Sequence, residues 1–187
     1  MISFQFDEEK AIAATLYVAH SLLGKETRPD LYKILKVFYF ADQKHIAKYG
    51  RPILGDWYAA MKDGPVPSNL YDILKSARGD GWCRNRQCYQ AFFSVQGDNV
   101  MPLQGPDMDE IAESEVECLE LAIMDNKDLD FGELKKKSHD AAYDRAHKNN
   151  KISFRDIAKV SGTSPEMIAY MEELAENMGI LSGSQAR

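Results

Sequence analysis

The stretch of residues 38–74 constrains the fold most, because it combines a helical pattern, a break and a stiff turn. The helical pattern ends at Gly50, and Pro52 prevents its continuation because proline has no backbone N–H to donate. Two of the four residues 64–67 are prolines, which restrict the backbone and make this segment stiff. Ser68 is a good N-cap for a following helix. The sequence therefore predicts two helices joined by a rigid, irregular connection.

The first of these helices carries polar residues on an apolar face. Steps of three or four residues place one set of side chains on the same face. The set is Leu31, Leu35, Phe38, Asp42, His45 and Tyr49. Buried polar groups need hydrogen-bond partners. We therefore interpret Asp42 and His45 as a structural polar pair, whose members satisfy each other or nearby backbone groups.

Five short motifs follow one another along the same stretch. They are Tyr39-Phe40-Ala41-Asp42, then His45, Gly50-Arg51-Pro52-Ile53, Gly64-Pro65-Val66-Pro67-Ser68 and Leu70-Tyr71. In order and spacing the set resembles the signature of the Panacea, or SocA-like, antitoxin domain, a family common in bacterial and phage-associated genes. A weaker match is Ser138-His139, after which Tyr143 stands where the family tends to have tryptophan. The resemblance covers most of the chain.

The resemblance implies an antitoxin, that is, a protein-binding module that neutralises a toxin by direct contact. The expected partners are a cognate toxin and, since some family members deliver their toxin for degradation, an ATP-dependent protease. We expect no enzymatic activity, no cofactor and no metal.

The candidate partner-binding surface is rich in aromatic side chains, which together with arginine are the usual anchors of protein interfaces. It comprises Arg51, Asp56, Trp57, Tyr58, Met61, Lys62, Pro65, Pro67, Tyr71, His139 and Tyr143. The alternative for Trp57, Tyr58 and Met61 is that they fill the core beneath the proline-rich segment.

Length and pattern predict a mainly α-helical α+β fold. The 187 residues, 44% of them hydrophobic, suit a single domain over residues 1–187. Apolar runs at residues 91–95 and 100–103, joined by residues 96–99, predict a β-hairpin. If residues 57–62 are extended, they could add a third strand, so we expect a helical bundle with a two- or three-stranded antiparallel sheet. No run is long enough for a membrane span, so we expect a cytoplasmic protein.

Charge is distributed unevenly along the chain, whose net charge is −6. Residues 107–130 contain ten acidic side chains against one lysine, and residues 133–155 contain seven basic and three acidic side chains. A phosphate backbone attracts clustered lysine and arginine, so this balance argues against nucleic-acid binding by the chain alone. Oppositely charged patches suit a protein partner. The cysteines, Cys83, Cys88 and Cys118, form no metal-binding pattern and predict reduced thiols.

Two other functional classes stay open. The first is an uncharacterised hydrolase or metal-dependent enzyme, in which Asp42, His45, His139 and Asp140 would meet in space. The second is a DNA-binding regulator, because residues 154–160 and 165–178 have helix-turn-helix spacing. The second helix of that pair carries four glutamates and no lysine or arginine, which would repel phosphate.

Overall fold

The chain folds into helices with two short hairpins between them. The computed structural model describes residues 2–24, 29–80, 86–146 and 150–184, with the backbone alone for residues 86, 87 and 178–184. In chain order the elements are α1 (Glu8–Leu22), α2 (Leu31–Tyr49), β1 (Tyr58–Met61), β2 (Gly64–Pro67), α3 (Ser68–Arg78), α4 (Arg86–Phe92), β3 (Phe93–Gln96), β4 (Asn99–Pro102), a 3₁₀ turn (Met108–Glu110), α5 (Glu113–Asn126), α6 (Phe131–Ser138), α7 (Ala141–Arg145), α8 (Phe154–Val160) and α9 (Pro165–Ser184). The predicted mainly helical α+β fold is confirmed.

Helix α2 is the central element. The Asp30 carboxylate caps its start by accepting a hydrogen bond from the Lys33 amide, and Gly50 ends it in the left-handed conformation with φ 69°. Every residue from 34 to 42 is buried, because α1, α3, α5, α6, α8 and β2 all pack against this helix. The sequence pattern assigned only one face of α2 to the core. The structure buries its whole circumference there, because other elements surround the helix on all sides.

Strands β1 and β2 form a hairpin of their own, with Tyr58 opposite Pro67 and Met61 opposite Gly64. The expected extended conformation of residues 57–62 is present. Strand β1 does not join the hairpin of residues 91–103 as a third strand. It pairs instead with residues 64–67, which the sequence predicted as a turn. Proline can occupy β2 because this strand is an edge of a two-stranded sheet. The other edge of β1 is covered by the segment at Lys151, through a bridge to Ala59.

Strands β3 and β4 form the second hairpin, at the predicted place. Phe93 pairs with Pro102 and Gln96 with Asn99, and Gly97 has φ 58° in the turn. Residues 91 and 92 belong to α4 instead of the strand. The hairpin packs on the start of α2, where the Leu31 amide donates to the Asp98 carbonyl at 2.7 Å.

The cap of α3 comes from a distant residue. Ser68 is the first helical residue and makes no capping bond. Asp56 caps the helix instead, because its carboxylate accepts hydrogen bonds from the amides of Asn69 (3.1 Å) and Leu70 (2.9 Å). The Asp56 side chain is fully buried, and this burial raises its pKa. Tertiary structure thus supplies a cap that local sequence placed at Ser68.

The structure also bears on the predictions for membrane-spanning helices and for the cysteines. Among the described helices, none has both the length and the apolar character that crossing a bilayer requires. Cys88 and Cys118 are free thiols, the first exposed and the second buried, and Cys83 lies outside the described residues.

The cap on α3 generates a stability prediction. Asp56→Ala leaves two amides without their acceptor in a buried site, so the free energy of unfolding falls by about 2 kcal/mol in urea titration. The matched variant is Asp7→Ala, which removes an exposed cap that accepts one hydrogen bond at the start of α1. That variant loses about 0.5–1 kcal/mol. Equal losses in the two variants would contradict the buried cap.

Candidate functional site

A groove with a volume of about 550 Å³ opens between the first turn of α2, the tip of the β1–β2 hairpin, α3 and the start of α6. We call it the α2–α6 groove. Its main apolar and aromatic lining residues are Tyr32, Met61, Tyr71, Leu129, Phe131 and Leu134. The Phe131 side chain is 54% exposed, and its ring packs on that of Tyr32 with centroids 4.5 Å apart. The groove therefore presents aromatic surface to solvent.

The hairpin tip that forms one wall of the groove is held by side chains from three helices. Tyr32 of α2 donates its hydroxyl hydrogen bond to the Asp63 carbonyl at 2.8 Å, and Tyr143 of α7 donates to the Met61 carbonyl at 2.8 Å. From α6, the Lys135 ammonium forms an ion pair with the Asp63 carboxylate at 2.8 Å. The wall is therefore fixed before any partner binds.

Beneath the tip lies a buried lysine. The Lys36 ammonium is fully buried and donates a hydrogen bond to the Pro65 carbonyl at 2.7 Å. Burial lowers the pKa of Lys36 to about 7, although the charge of Asp63 opposes the change. Gly64 has φ 107°, and a Cβ there would lie 2.6 Å from the Ser138 hydroxyl. Only glycine fits this position, so the tip packs directly on α2 and α6.

The rim of the groove is acidic. Its charged lining residues are the carboxylates of Asp30, Asp63, Asp98 and Asp130 and the ammonium groups of Lys33 and Lys62. Lys33 donates to the Lys127 carbonyl, whereas exposed Lys62 has no ion-pair partner in the described part of the chain. Two of the carboxylates are paired, Asp63 with Lys135 at 2.8 Å and Asp98 with Arg78 at 3.5 Å. Among the described residues, Asp30 and Asp130 therefore carry the unpaired negative charge of the groove.

Three of the sequence-predicted site residues line this groove, namely Met61, Lys62 and Tyr71. Four others lie in the core: Asp56, Tyr58, Pro65 and Pro67 are buried. Asp56 caps α3, Tyr58 bonds to Asp42, and the two prolines are in β2, which packs on α2. We correct the prediction for these four residues, because a buried side chain cannot contact a partner while the fold is intact.

Arg51 and Trp57 lie outside the groove. Arg51 forms an ion pair at 2.9 Å with the buried Glu115, which also pairs with Lys10 of α1 at 3.0 Å. Burial alone would raise the pKa of Glu115, but the Ala112 amide and these two cations together lower it. Trp57 is half-buried, with the Lys151 ammonium 4.9 Å from its ring. Partner contact by Arg51 and Trp57 stays a prediction.

His139 and Tyr143 stack on each other behind the hairpin tip, with ring centroids 4.1 Å apart. The Nε2 atom of His139 is buried and has no hydrogen-bond partner among the described residues. Burial, followed by the charges of Lys135 and Lys36, lowers the His139 pKa. Tyr143 contributes to the groove through its hydrogen bond to the Met61 carbonyl. Partner contact by His139 or Tyr143 stays a prediction.

Asp42 and His45 are both buried, but they do not bond to each other. Asp42 accepts hydrogen bonds from the Ile53 amide and the Tyr58 hydroxyl, each at 2.7 Å. The His45 Nδ1 lies 2.7 Å from the Arg51 carbonyl, which can only accept, so Nδ1 carries the proton. Of the two alternatives in the polar-pair interpretation, the structure shows the second, because each side chain bonds to the backbone of the segment after α2. Burial raises the pKa of Asp42 to about 7 and lowers that of His45.

Of the four residues proposed for an enzyme, Asp42, His45 and Asp140 have separate hydrogen-bond partners. Asp140, the fourth member, accepts hydrogen bonds from Tyr39 (2.8 Å) and Gln43 (2.7 Å) and caps α7. Within the described ranges, no three histidine, cysteine or acidic residues are grouped so as to hold a metal ion. The helices proposed for DNA binding, α8 and α9, are present, and α8 buries Phe154, Ile157 and Ala158. Neither alternative gains support from these contacts.

Sequence reasoning missed two residues that matter here. Phe131 shares a helix face with buried Leu134, and nothing in the sequence separates a groove residue from a core residue at that spacing. Lys36 did have a signal, because it is the single charged residue between positions 34 and 41. A lysine inside an apolar helical run indicates either burial with a partner or an interrupted face.

The fold and the groove define a mainly helical protein with a preformed, solvent-facing aromatic cleft. The family model for the antitoxin SocA-like Panacea domain matches residues 34–144, from α2 into α7. The chain therefore belongs to this antitoxin family. The family points to a non-enzymatic role and implies a toxin partner in general. No curated protein and no solved structure matches the chain.

The buried Asp42 generates a pH prediction. Its pKa of about 7 lies above the value of 3.8 for the unfolded chain, so the folded state keeps a proton that the unfolded state releases. The free energy of unfolding contributed by Asp42 therefore falls as pH rises from about 4 to 7. The Asp42→Asn variant has no carboxyl group at this position and therefore lacks this pH dependence. As pH rises from about 4 to 7, its free energy of unfolding increases relative to that of the wild type by up to about 1.4 kcal/mol per pH unit.

Urea titrations at several pH values measure this difference, and Asp128→Asn, the same change at an exposed site, is the reference. Asp42→Ala removes both acceptors and lowers the free energy of unfolding by about 1 to 3 kcal/mol, because the Ile53 amide and Tyr58 hydroxyl lose their partner. Parallel pH curves for wild type and Asp42→Asn would show that the carboxylate is already ionised in the fold.

Proposed function

We propose that this protein is an antitoxin that neutralises a toxin by direct contact, and that the toxin binds in the α2–α6 groove. The observation that carries the proposal is that most of the groove lining, from Leu35 to Leu134, lies within the family domain, while residues 30–33 precede it. Its wall is the β1–β2 hairpin, whose motif at residues 64–68 belongs to the matched region.

Aromatic residues supply the binding energy in this proposal. Buried aromatic contacts dominate most protein interfaces, and Phe131, Tyr71 and Tyr32 offer such surface in one concave site. The apolar residues Leu129, Leu134 and Met61 line the same site. An apolar or aromatic side chain of the toxin would fill this space.

Charge supplies selectivity. Asp30 and Asp130 at the rim have no ion-pair partner in the described part of the chain, so the groove favours a toxin segment that carries lysine or arginine beside its apolar anchor. Lys62, at the hairpin tip, would meet a carboxylate or carbonyl of the same segment. A mixed contact of this kind discriminates between partners more than it adds affinity.

Rigidity of the wall favours tight binding. The tip of the β1–β2 hairpin is held by Tyr32, Lys36, Lys135 and Tyr143. Strand β2, which follows the tip, contains two prolines. A surface that is already ordered loses little conformational entropy on binding. The proposal implies that antitoxin and toxin meet in the bacterial cytoplasm, as the two products of one toxin–antitoxin system.

The groove generates a binding prediction. Phe131→Ala and Tyr71→Ala each weaken toxin binding by about tenfold or more, because they remove aromatic anchors, and they abolish rescue of cells that co-express the toxin. The toxin used is the product of the gene adjacent to this one. Isothermal titration calorimetry measures the affinity, and immunoblots of toxin level separate blocking of the toxin from its delivery to an ATP-dependent protease.

The matched control is Tyr170→Ala on α9, an aromatic side chain that is 50% exposed and far from the groove lining in sequence. It keeps binding and rescue within about twofold of wild type, since exposed positions outside an interface are energetically near neutral. Thermal melts verify that all variants are folded. Wild-type affinity in both groove variants would overturn the proposed site, and equal loss in Tyr170→Ala would assign binding to another surface.

A further inference from the structure

The buried side chain of Lys36 lies where α2 supports the tip of the β1–β2 hairpin, residues 61–64. Its Nζ donates to the Pro65 carbonyl at 2.7 Å, which is the one hydrogen bond of this side chain within the described part of the chain. A Cβ on Gly64 would lie 2.9 Å from the same Nζ, so the backbone of the tip packs directly on the amine. The position of the tip on α2 therefore depends on Lys36.

The surroundings of Lys36 suit a neutral amine better than an ammonium group. An ammonium group has three N–H donors, and a charged donor without an acceptor is costly in a buried site. Apart from the Pro65 carbonyl, the ring of Tyr32 faces Nζ at 4.7 Å from its centroid, and such a contact offsets only part of that cost. Burial accordingly lowers the pKa of Lys36 to about 7.

Other titratable groups surround Lys36 and the tip. They are Tyr32 of α2, Asp63 of the tip, Lys135 of α6, His139 at the end of α6, and Tyr143 and Asp144 of α7. Burial raises the pKa of Tyr32 to about 12, and the hydrogen bond from Lys135 lowers that of Asp63. Burial also lowers the pKa of His139 below 6.5. Between pH 7 and 9, therefore, Tyr32 and His139 stay neutral and Asp63 stays negative, whereas Lys36 changes its charge.

We propose that Lys36 is a proton-sensitive positioning residue for the wall of the α2–α6 groove: its neutral amine holds the hairpin tip on α2, and a proton on the amine makes the tip open more often. Met61, Lys62 and Asp63 of the tip all line the groove, so each opening removes part of that wall. The behaviour of the tip does not require a toxin. Its consequence for toxin binding rests on the proposed function.

The pH dependence of this opening has a definite direction. In the closed tip the pKa of Lys36 is about 7, whereas in the open tip the hydrated amine regains its ordinary value of 10.5. Between these two values opening takes up a proton, so it becomes about tenfold more frequent for each unit by which the pH falls. Below pH 7 the amine is protonated in both states, and the dependence ends.

NMR of protein labelled with carbon-13 in its lysines measures the protonation of Lys36 directly. We expect the Cε resonance of Lys36 to titrate with a midpoint near pH 7, and the backbone amides of residues 61–64 to shift over the same range. Trypsin cleavage after Lys62 reports opening, because the protease cuts the opened chain. Relative to cleavage of a synthetic peptide of residues 58–67, the rate rises about tenfold from pH 9 to pH 8 and about twofold or less from pH 7 to pH 6.

The variant Lys36→Met replaces the amine by an apolar side chain of similar length, so the tip stays closed and cleavage after Lys62 loses its pH dependence. The matched control is Lys48→Met, the same change at an exposed position of α2. A hydrogen bond to Glu117 raises the pKa of Lys48, so this control keeps the pH dependence of the wild type. A Lys36 midpoint above pH 9, or equal pH dependence in wild type and Lys36→Met, would refute the proposal.

A separate measurement tests the connection to the groove. The product of the adjacent toxin gene, added at saturating concentration, slows cleavage after Lys62 in the wild type by about tenfold or more, because a partner in the groove holds the tip closed. Unchanged cleavage would contradict toxin binding in the α2–α6 groove. The NMR titration and the cleavage of the free protein would still decide the role of Lys36.

Discussion

Hydrogen bonds from the side chains of α2 to the backbone of the segment after it are the interactions on which the rest of the structure depends. Tyr32 and Lys36 donate to the carbonyls of Asp63 and Pro65, Asp42 accepts from the Ile53 amide, and His45 donates to the Arg51 carbonyl. Residues 50–57 lie outside helices and strands, and the hairpin that follows has only two strands. Buried backbone groups in this segment must still be paired. The central helix therefore supplies the partners that a sheet or helix would otherwise provide.

These interactions carry an electrostatic cost that the structure accepts. Burial moves the pKa of Asp42 up to about 7 and that of Lys36 down to about 7, so both side chains are displaced toward their neutral forms. Hydrogen bonds to backbone and to Tyr58 compensate part of this cost. In return the β1–β2 hairpin has one position, and the α2–α6 groove has a wall that needs no rearrangement before a partner binds.

Local signals in the sequence predicted those features that depend on near neighbours. The break at Gly50, the β3–β4 hairpin and the Asp30 cap all follow from residues within a few positions of one another. The candidate site was predicted less completely. Met61, Lys62 and Tyr71 line the groove, whereas Tyr58 and Pro65 are buried, because aromatic and proline residues in a rigid segment suit a core as well as an interface.

By itself, the sequence determined the helices α2 and α3, the break after α2, the uneven charge and, through five ordered motifs, the antitoxin family that the match over residues 34–144 confirms. Only the tertiary structure decided that Asp56 caps α3 and that Lys36 lies beneath the hairpin tip. It also decided that Phe131 opens into a groove. The physical reason is that periodicity assigns a side chain to one face of its own element. What covers that face comes from elements far away in the chain, as with Lys36 and Pro65, which are 29 residues apart.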